Sequence, residues 1–220
     1  IRDKLVTGVQ TCALPISSSF QLETCHALRP DIAVLLNLLP NHLDRHGTMD
    51  AYREAKAMLF RMCRIGVFNL DDPASEKIMA EATCRPLTYG QHGEADLIAE
   101  NAVLHSDCVE FTARHGAETA PVRLNIPGGF TVYNALGVLG VVLALGMDLH
   151  TAAEAMGKAR GVKGRVEVVP TPGTDYTVLI DYAHTPDSLE NVLTSVRGYC
   201  KGRLISVFGC GGDRDITKRP

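Results

Sequence analysis

Residues 177–209 read TVLIDYAHTPDSLENVLTSVRGYCKGRLISVFG, and the order of patterns within them decides the fold class. TVLID is a short apolar run ending in a polar turn, as a buried strand does. Thr185 and Pro186 then supply a cap and a first helical position, and Leu189, Val192, Leu193 and Val196 share one helical face. RLISVFG reads as the next strand. Strand, helix, strand predicts a parallel βαβ unit in an α/β protein, with ligands at the carboxyl ends of the strands.

Upstream of that unit the composition shifts. Gly161, Gly164, Pro170, Pro172 and Gly173 predict a hinge between two domains. Val132 to Leu145 is apolar on nearly every side, so a helix buried between layers is expected there. Residues 74–130 alternate short apolar runs with turns, and ADLIAENAVL (95–104) and CVEFTAR (108–114) are expected strands of an antiparallel meander. Further back, Asp31 to Asn37 reads DIAVLLN, a buried strand leading into the polar loop PNHLDRHG. Thr48 is placed to cap a helix through about Arg64, with Tyr52, Ala55, Leu59 and Met62 at helical spacing and Asp50 near its positive end. GVFNLDDP then predicts a second strand ending in a turn.

The whole composition fits this picture. A chain of 220 residues, 45% hydrophobic and 21% charged, is globular and holds one or two domains. Lys and Arg number 22 against 25 Asp and Glu, a formal charge of −3, so a nucleic-acid partner is not expected. The longest apolar stretch, Ala135 to Leu145, contains Gly137 and Gly140 and falls short of the roughly 18–20 residues that cross a bilayer, so no membrane span is expected. The 7 cysteines lie singly, without a CxxC pair, which argues against a disulfide framework or a cysteine-rich zinc cluster and for a reducing, cytoplasmic compartment.

Several residues invite chemistry. Lys56 lies four residues after Tyr52, three before Leu59 and four before Phe60, which sets it within the apolar stripe of its helix. Desolvation would lower its pKa and leave an amine open to reaction or modification; the alternative is a stem laid along the core with its head in water. His42, Asp44 and His46 occupy the loop after the first strand, either as a metal-phosphate site or as a solvated loop. Asp181 and His184 follow TVLI at the carboxyl edge, where a carboxylate can hold ribose hydroxyls or simply cap a helix. Gly209, Gly211 and Gly212 allow backbone amides to face an anion, although GCGGDRD matches neither a dinucleotide fingerprint nor a P-loop.

The strings SSFQLE, NHLDRHGTMDAYREAK, FTVYNALGVLGVVLALG, GVKGRVE, DYAHTPDSLENVL and VFGCGGDRDITKRP occur in that order from Ser18 to Pro220. Together they resemble the Mur ligase family of ATP-dependent amino-acid ligases of bacterial peptidoglycan synthesis. The last two resemble the branch that adds the third amino acid, diaminopimelate or lysine, to UDP-MurNAc-L-Ala-D-Glu. SSFQLE is closer to the D-glutamate-adding branch, and folylpolyglutamate synthase shares related strings. A non-catalytic nucleotide-binding module is the reading from another class.

The resemblance implies a central ATPase domain, with a mostly parallel sheet and flanking helices, over residues 17–162. It implies the start of a Rossmann-like C-terminal domain over 163–220. ATP and Mg²⁺ are the implied cofactors, with an acyl phosphate as intermediate. His42 matches the family's metal-binding histidine and Lys56 its carbamylated lysine, whose new carboxylate would suit Mg²⁺. Asn134 matches the adenine-contacting asparagine, Arg165 the hinge arginine and Asp181 the ribose-binding aspartate, with His184 a further nucleotide contact. Ser18 and Arg214 match substrate-side positions. A monomer with no nucleic-acid or membrane partner is expected.

There are departures. Residues 1–16 show no clear period and read as foreign, TGVQTCALPI resembling translated adapter sequence. Ile16 stands where the family's E-x-S-S string has glutamate, and Asn41 where aspartate is commoner. The family's P-loop and its UDP-binding domain would lie upstream, and most of its C-terminal domain would follow Pro220. The chain is therefore expected to be an inactive fragment of an active ligase.

Overall fold

A computed structural model of the chain describes residues 17–25, 27–40, 42–184 and 186–209. Its centre is a sheet of six strands in chain order: β1 (Ile32–Leu35), β2 (Ile65–Asn69), β3 (Arg85–Gly90), β4 (Leu97–Leu104), β5 (Val109–His115) and β6 (Glu118–Leu124). Strands β1 to β4 run parallel, and β4 to β6 form the expected antiparallel meander.

Burial follows that division. In β2 every residue after the first is buried, because helices cover both faces, whereas β5 and β6 alternate buried and open positions with one face covered. On one face lie α1 (Ser19–Thr24), α3 (Met49–Met62) and α4 (Pro73–Glu81), preceded by the one-turn α2 (Leu43–His46). Tyr52, Ala57 and Phe60 pack there against Ala33, Leu35 and Phe68. On the other face lie α5 (Phe130–Ala144) and α6 (Leu149–Met156), whose Val132, Leu136, Leu139 and Leu149 join Val67, Tyr89 and Val109. Each Val, Leu or Phe side chain among them, withdrawn from water, contributes about 1.5–3 kcal/mol.

Local chemistry explains the helix starts. Thr48 caps α3 by accepting the Ala51 amide, as its sequence position predicts. Asp72 caps α4, with Pro73 in the first turn where no amide is needed. The glycines inside α5 allow close approach: a Cβ on Gly140 would lie 2.6 Å from Val67 Cγ1, and one on Gly137 would lie 2.9 Å from Leu36 Cδ2.

Beyond α6 the structure departs from expectation. TVLID does form a strand, β8 (Val178–Ile180), but it pairs antiparallel with β7 (Glu167–Val169), a strand inside the expected hinge. A helix follows, α7 (Pro186–Arg197). RLISVFG, however, forms no strand: Ile205, Val207 and Phe208 are 66%, 94% and 66% exposed, and no neighbouring strand among the described residues offers them a ladder. The parallel βαβ unit is therefore not closed here, because an apolar run becomes a parallel strand only where partners satisfy its amides and helices cover its faces. Thr185, Asn41, Arg214, Gly211 and Gly212 lie outside the described residues.

Candidate active site

The parallel strands end in a network of polar side chains. Asn69 Nδ2 donates to Leu36 O at 2.8 Å, and Tyr89 Oη donates to Leu35 O at 3.0 Å. Asp72 takes the Leu38 amide on one oxygen and the Ala74 amide on the other, each at 2.8 Å. Asp71 Oδ2 accepts from the Gln91 amide at 2.7 Å and from Tyr133 Oη at 3.1 Å. Burial pushes the Tyr133 phenol up, with the Asp71 charge acting in the same direction. These bonds fix the carboxyl edge of the sheet and join it to α5. GVFNLDDP does form the expected strand ending in a turn, β2; what the sequence leaves unread is that Asn69, Asp71 and Asp72 of that turn build this network, the signal being an Asn and two Asp directly after an apolar strand.

Next to that edge opens a cavity of about 1190 Å³, lined by Asn37 after β1, by α5 and α6, by the hinge and by α7. Asn134, Arg165 and Asp181 all line it, though they come from α5, the hinge and the turn after β8. Asn134 is exposed at its wall. The Arg165 guanidinium lies 4.8 Å over the Tyr182 ring, a stacking that orients the fork. Asp181 Oδ2 accepts the Val166 amide at 2.8 Å and its Oδ1 the Ala183 amide at 2.7 Å. A carboxylate has roughly four acceptor positions, so about two remain for a ligand hydroxyl. Where α5 begins, the Gly129 amide donates to Ser195 Oγ of α7 at 2.9 Å, tying the two sides of the cavity together.

His184 is not part of that lining; its Nδ1 lies 2.9 Å from Tyr182 O and its ring is exposed. Lys56 and His42 also lie outside it. Lys56 is half-buried, and its Nζ donates to Ser17 O at 3.0 Å. Desolvation holds its amine below the ordinary lysine range, in line with its place on the apolar stripe. Ser18 caps α1: its hydroxyl takes the Gln21 amide, and the Gln21 side chain reaches back to the Ser18 amide.

His42 holds left-handed backbone, φ 55° and ψ 31°, with its ring 4.9 Å from the Phe20 ring. The nearby His46 differs from expectation. Its side chain is only 3% exposed, set between Phe20 and Tyr52, with Ser19 Oγ 2.9 Å from Nε2 and Glu23 3.5 Å from Nδ1. It braces α1 against α3 rather than sitting in a solvated loop, while Asp44 stays exposed.

Residues 2–142 match the family described as the Mur ligase middle domain, and residues 164–220 match the Mur ligase glutamate ligase domain. The chain belongs to the Mur ligase family. This Mur ligase chain is 42% identical over 221 residues to the UDP-N-acetylmuramoyl-L-alanyl-D-glutamate--2,6-diaminopimelate ligase of Clostridium botulinum, covering 100% of the chain and 46% of that protein. It is 39% identical over 223 residues to the enzyme of the same name from Bacillus cereus, covering 97% of the chain and 45% of that protein. A solved structure of a ligase of that name superposes with a TM-score of 0.74 at 33% identity, over 92% of the chain and 43% of its own. MurF ligase from Thermotoga maritima, solved in complex with ADP, shares the fold at 21% identity, with a TM-score of 0.67 over 81% of the chain and 42% of its own. The Mur ligase chain thus spans just under half the length of these relatives. Mur ligases as a family form amide bonds at the expense of ATP. No helix among the described residues is long and apolar enough to cross a membrane.

Proposed function

We propose that this chain carries the catalytic middle of a ligase that joins diaminopimelate to UDP-MurNAc-L-Ala-D-Glu, in the cytoplasm and as a monomer. Residues 17–162 would form its central domain and 163–220 the start of its C-terminal domain. One observation carries the reading: Asn134, Arg165 and Asp181 converge on one cavity from three separate parts of the chain. The names of the relatives favour diaminopimelate over lysine as the incoming amino acid.

ATP fits the cavity on size and on chemistry. Ligand pockets commonly run to about 300–1,000 Å³, and this one is as large. Asn134 would offer donor and acceptor to adenine, Asp181 its free lone pairs to the ribose hydroxyls, and Arg165 its charge to the phosphates. His184, which does not line the cavity, would add a nucleotide contact from outside it, and Ser18 and Arg214 would bind the substrates.

The Mg²⁺ site passes its test on donor chemistry only after modification. An ammonium repels a cation, and Mg²⁺ prefers oxygen. The depressed Lys56 amine supports addition of CO₂: the nitrogen bonds carbon, a proton leaves, and a carbamate oxygen pair results. That group and His42 would hold Mg²⁺. When bound, Mg²⁺ neutralises charge on the transferring phosphoryl group. The substrate carboxylate would take the γ-phosphoryl of ATP as ADP leaves, the amine of diaminopimelate would attack the acyl phosphate carbonyl, and phosphate would leave as the nitrogen sheds a proton and the amide forms.

The test is amino-acid-dependent phosphate release by a full-length ligase carrying these residues, given Mg-ATP and UDP-MurNAc-L-Ala-D-Glu. Release with meso-diaminopimelate and not with L-lysine is expected. Release with lysine alone overturns the amino-acid assignment, and silence with both moves the reading to another branch or to a nucleotide-binding module.

A further inference from the structure

The turn between β4 and β5 brings three donor atoms of different kinds together. His105 and Cys108 flank Ser106 and Asp107, and the His105 amide donates to Cys108 O at 2.9 Å, which closes the hairpin. Leu104 pairs with Val109 and Val103 with Glu110 in the ladder. Side chains alternate along strands, so His105, Cys108 and Glu110 project from one face while Leu104 and Val109 project from the other. The result is a compact set: His105 nitrogen, Cys108 sulfur and a Glu110 oxygen all lie within 4.8 Å of one another.

From this geometry we propose a binding site for one borderline-soft divalent cation of the Zn²⁺ class, held by His105 Nε2, Cys108 Sγ and Glu110 Oε2. The spacing fits the ion. Two ligands each about 2.0–2.2 Å from a tetrahedral zinc stand roughly 3.3–3.6 Å apart, and His105 Nε2 and Glu110 Oε2 are 3.3 Å apart. The sulfur lies within 4.8 Å of the other two donors, and binding would draw it in to the roughly 3.6 Å that separates sulfur from a nitrogen or oxygen ligand at a tetrahedral zinc. Mixed nitrogen, thiolate and carboxylate donors select Zn²⁺ over Mg²⁺ or Ca²⁺, which prefer oxygen alone. The absence of a CxxC pair does not weigh against such a site, because it needs a single cysteine.

The carboxylate is also oriented in advance. Arg123 of β6 bonds Glu110 Oε1, which turns Oε2 toward His105 in the manner of an outer-shell partner at a metal centre. Cys108 is 1% exposed, whereas the His105 and Glu110 side chains are 41% and 42% exposed, so the ion's fourth position would be left to water on the open side. None of the three donors lines the Asn134–Asp181 cavity, so the site is separate from the proposed nucleotide site and does not depend on that reading. Its effect would be to clip β4 to β5 at the end of the hairpin, where Leu104 Cδ1 lies 3.7 Å from the position a Cβ on Gly129 would take.

The experiment is titration of the whole chain with Co²⁺, which reports tetrahedral coordination by its visible bands and a thiolate ligand by a charge-transfer band. One equivalent should bind, with both signals, and Zn²⁺ should displace it. Cys108→Ser should remove the charge-transfer band, and His105→Ala and Glu110→Gln should each weaken binding at least about tenfold. A Cys63→Ser, Cys84→Ser double variant should keep the band, and circular dichroism should match across variants. His105→Ala changes a partly exposed side chain, so it carries the test if Cys108→Ser fails to fold. A band that survives Cys108→Ser, affinity unchanged in His105→Ala, loss of the band only in the double variant, or no saturable binding at micromolar metal overturns the proposal.

Discussion

Asp181 holds the amide of Val166 at 2.8 Å, and Val166 sits at φ 44° with only 3% of its surface exposed. A β-branched residue pays for left-handed backbone with crowding of about 1–2 kcal/mol, so the conformation persists only where its surroundings impose it. The aspartate that faces the cavity therefore also sets the path of the chain through the hinge.

Asp181→Asn separates these duties poorly. One carboxylate oxygen becomes an amide that cannot accept, and either Val166 or Ala183 loses its acceptor, at about 1–3 kcal/mol. Limited proteolysis should cut the variant faster between residues 160 and 170 than the parent. Equal cleavage rates would show that the hinge holds without this carboxylate.

Gly140→Ala should destabilise the fold although alanine ordinarily gains up to about 1 kcal/mol over glycine in a helix. The new methyl would meet Val67 Cγ1, a rigid side chain fully buried in β2, and such overpacking costs about 1–3 kcal/mol. Gly137→Ala meets the end of the Leu36 side chain, which is partly exposed and free to turn, so its cost should be smaller. Urea unfolding midpoints rank the two, and a higher midpoint for Gly140→Ala than for the parent would contradict the packing described.

Lys56 gives a pH signature with a definite sign. Its folded pKa lies below the ordinary value, so over that interval the unfolded chain binds the proton and the folded chain does not. The burial penalty is thus present at neutral pH and fades as pH rises toward about 10.4. Lys56→Met should melt above the parent near pH 7, with the gap closing at alkaline pH; a gap that widens instead would mean that the amine is not desolvated. In a full-length ligase, Lys56→Ala should nearly abolish turnover, with partial rescue by short carboxylic acids, and unimpaired turnover would refute its place in the metal site.

Cys63 caps α3, 8% exposed, where burial and the neighbouring Cys84 push its thiol up to about 12. At pH 8 only about one part in ten thousand would then be thiolate. Iodoacetamide should label the partly exposed Cys25, Cys84 and Cys200 well before Cys63. Mass spectrometry of tryptic peptides reads the order, and early labelling of Cys63 would mean that α3 opens at its end.

What could be read in advance was what neighbouring residues decide. The Thr48 cap, the Lys56 position and the all-round apolar α5 follow from helical spacing alone. Strand β6 was hidden by Pro121, which is tolerated because β6 is the edge of the sheet. Helix α4 was hidden because Asp72-Pro73 serves equally as a turn and as a helix start. The cavity needed the tertiary structure, since Asn134, Arg165 and Asp181 meet only after α5 and the hinge have packed. His46 looked like its neighbour His42 in a polar string, and only the burial between Phe20 and Tyr52 tells them apart.

The strands of the sheet lie side by side in the order in which they leave the ribosome. Each described strand after β1 can therefore dock on the one synthesised just before it. The exception is α5, which supplies the cover for β1 to β3 only after β6 is complete. Until about residue 144 has emerged, one apolar face of the nascent sheet stays open to solvent, and that interval is when a chaperone would have most to hold.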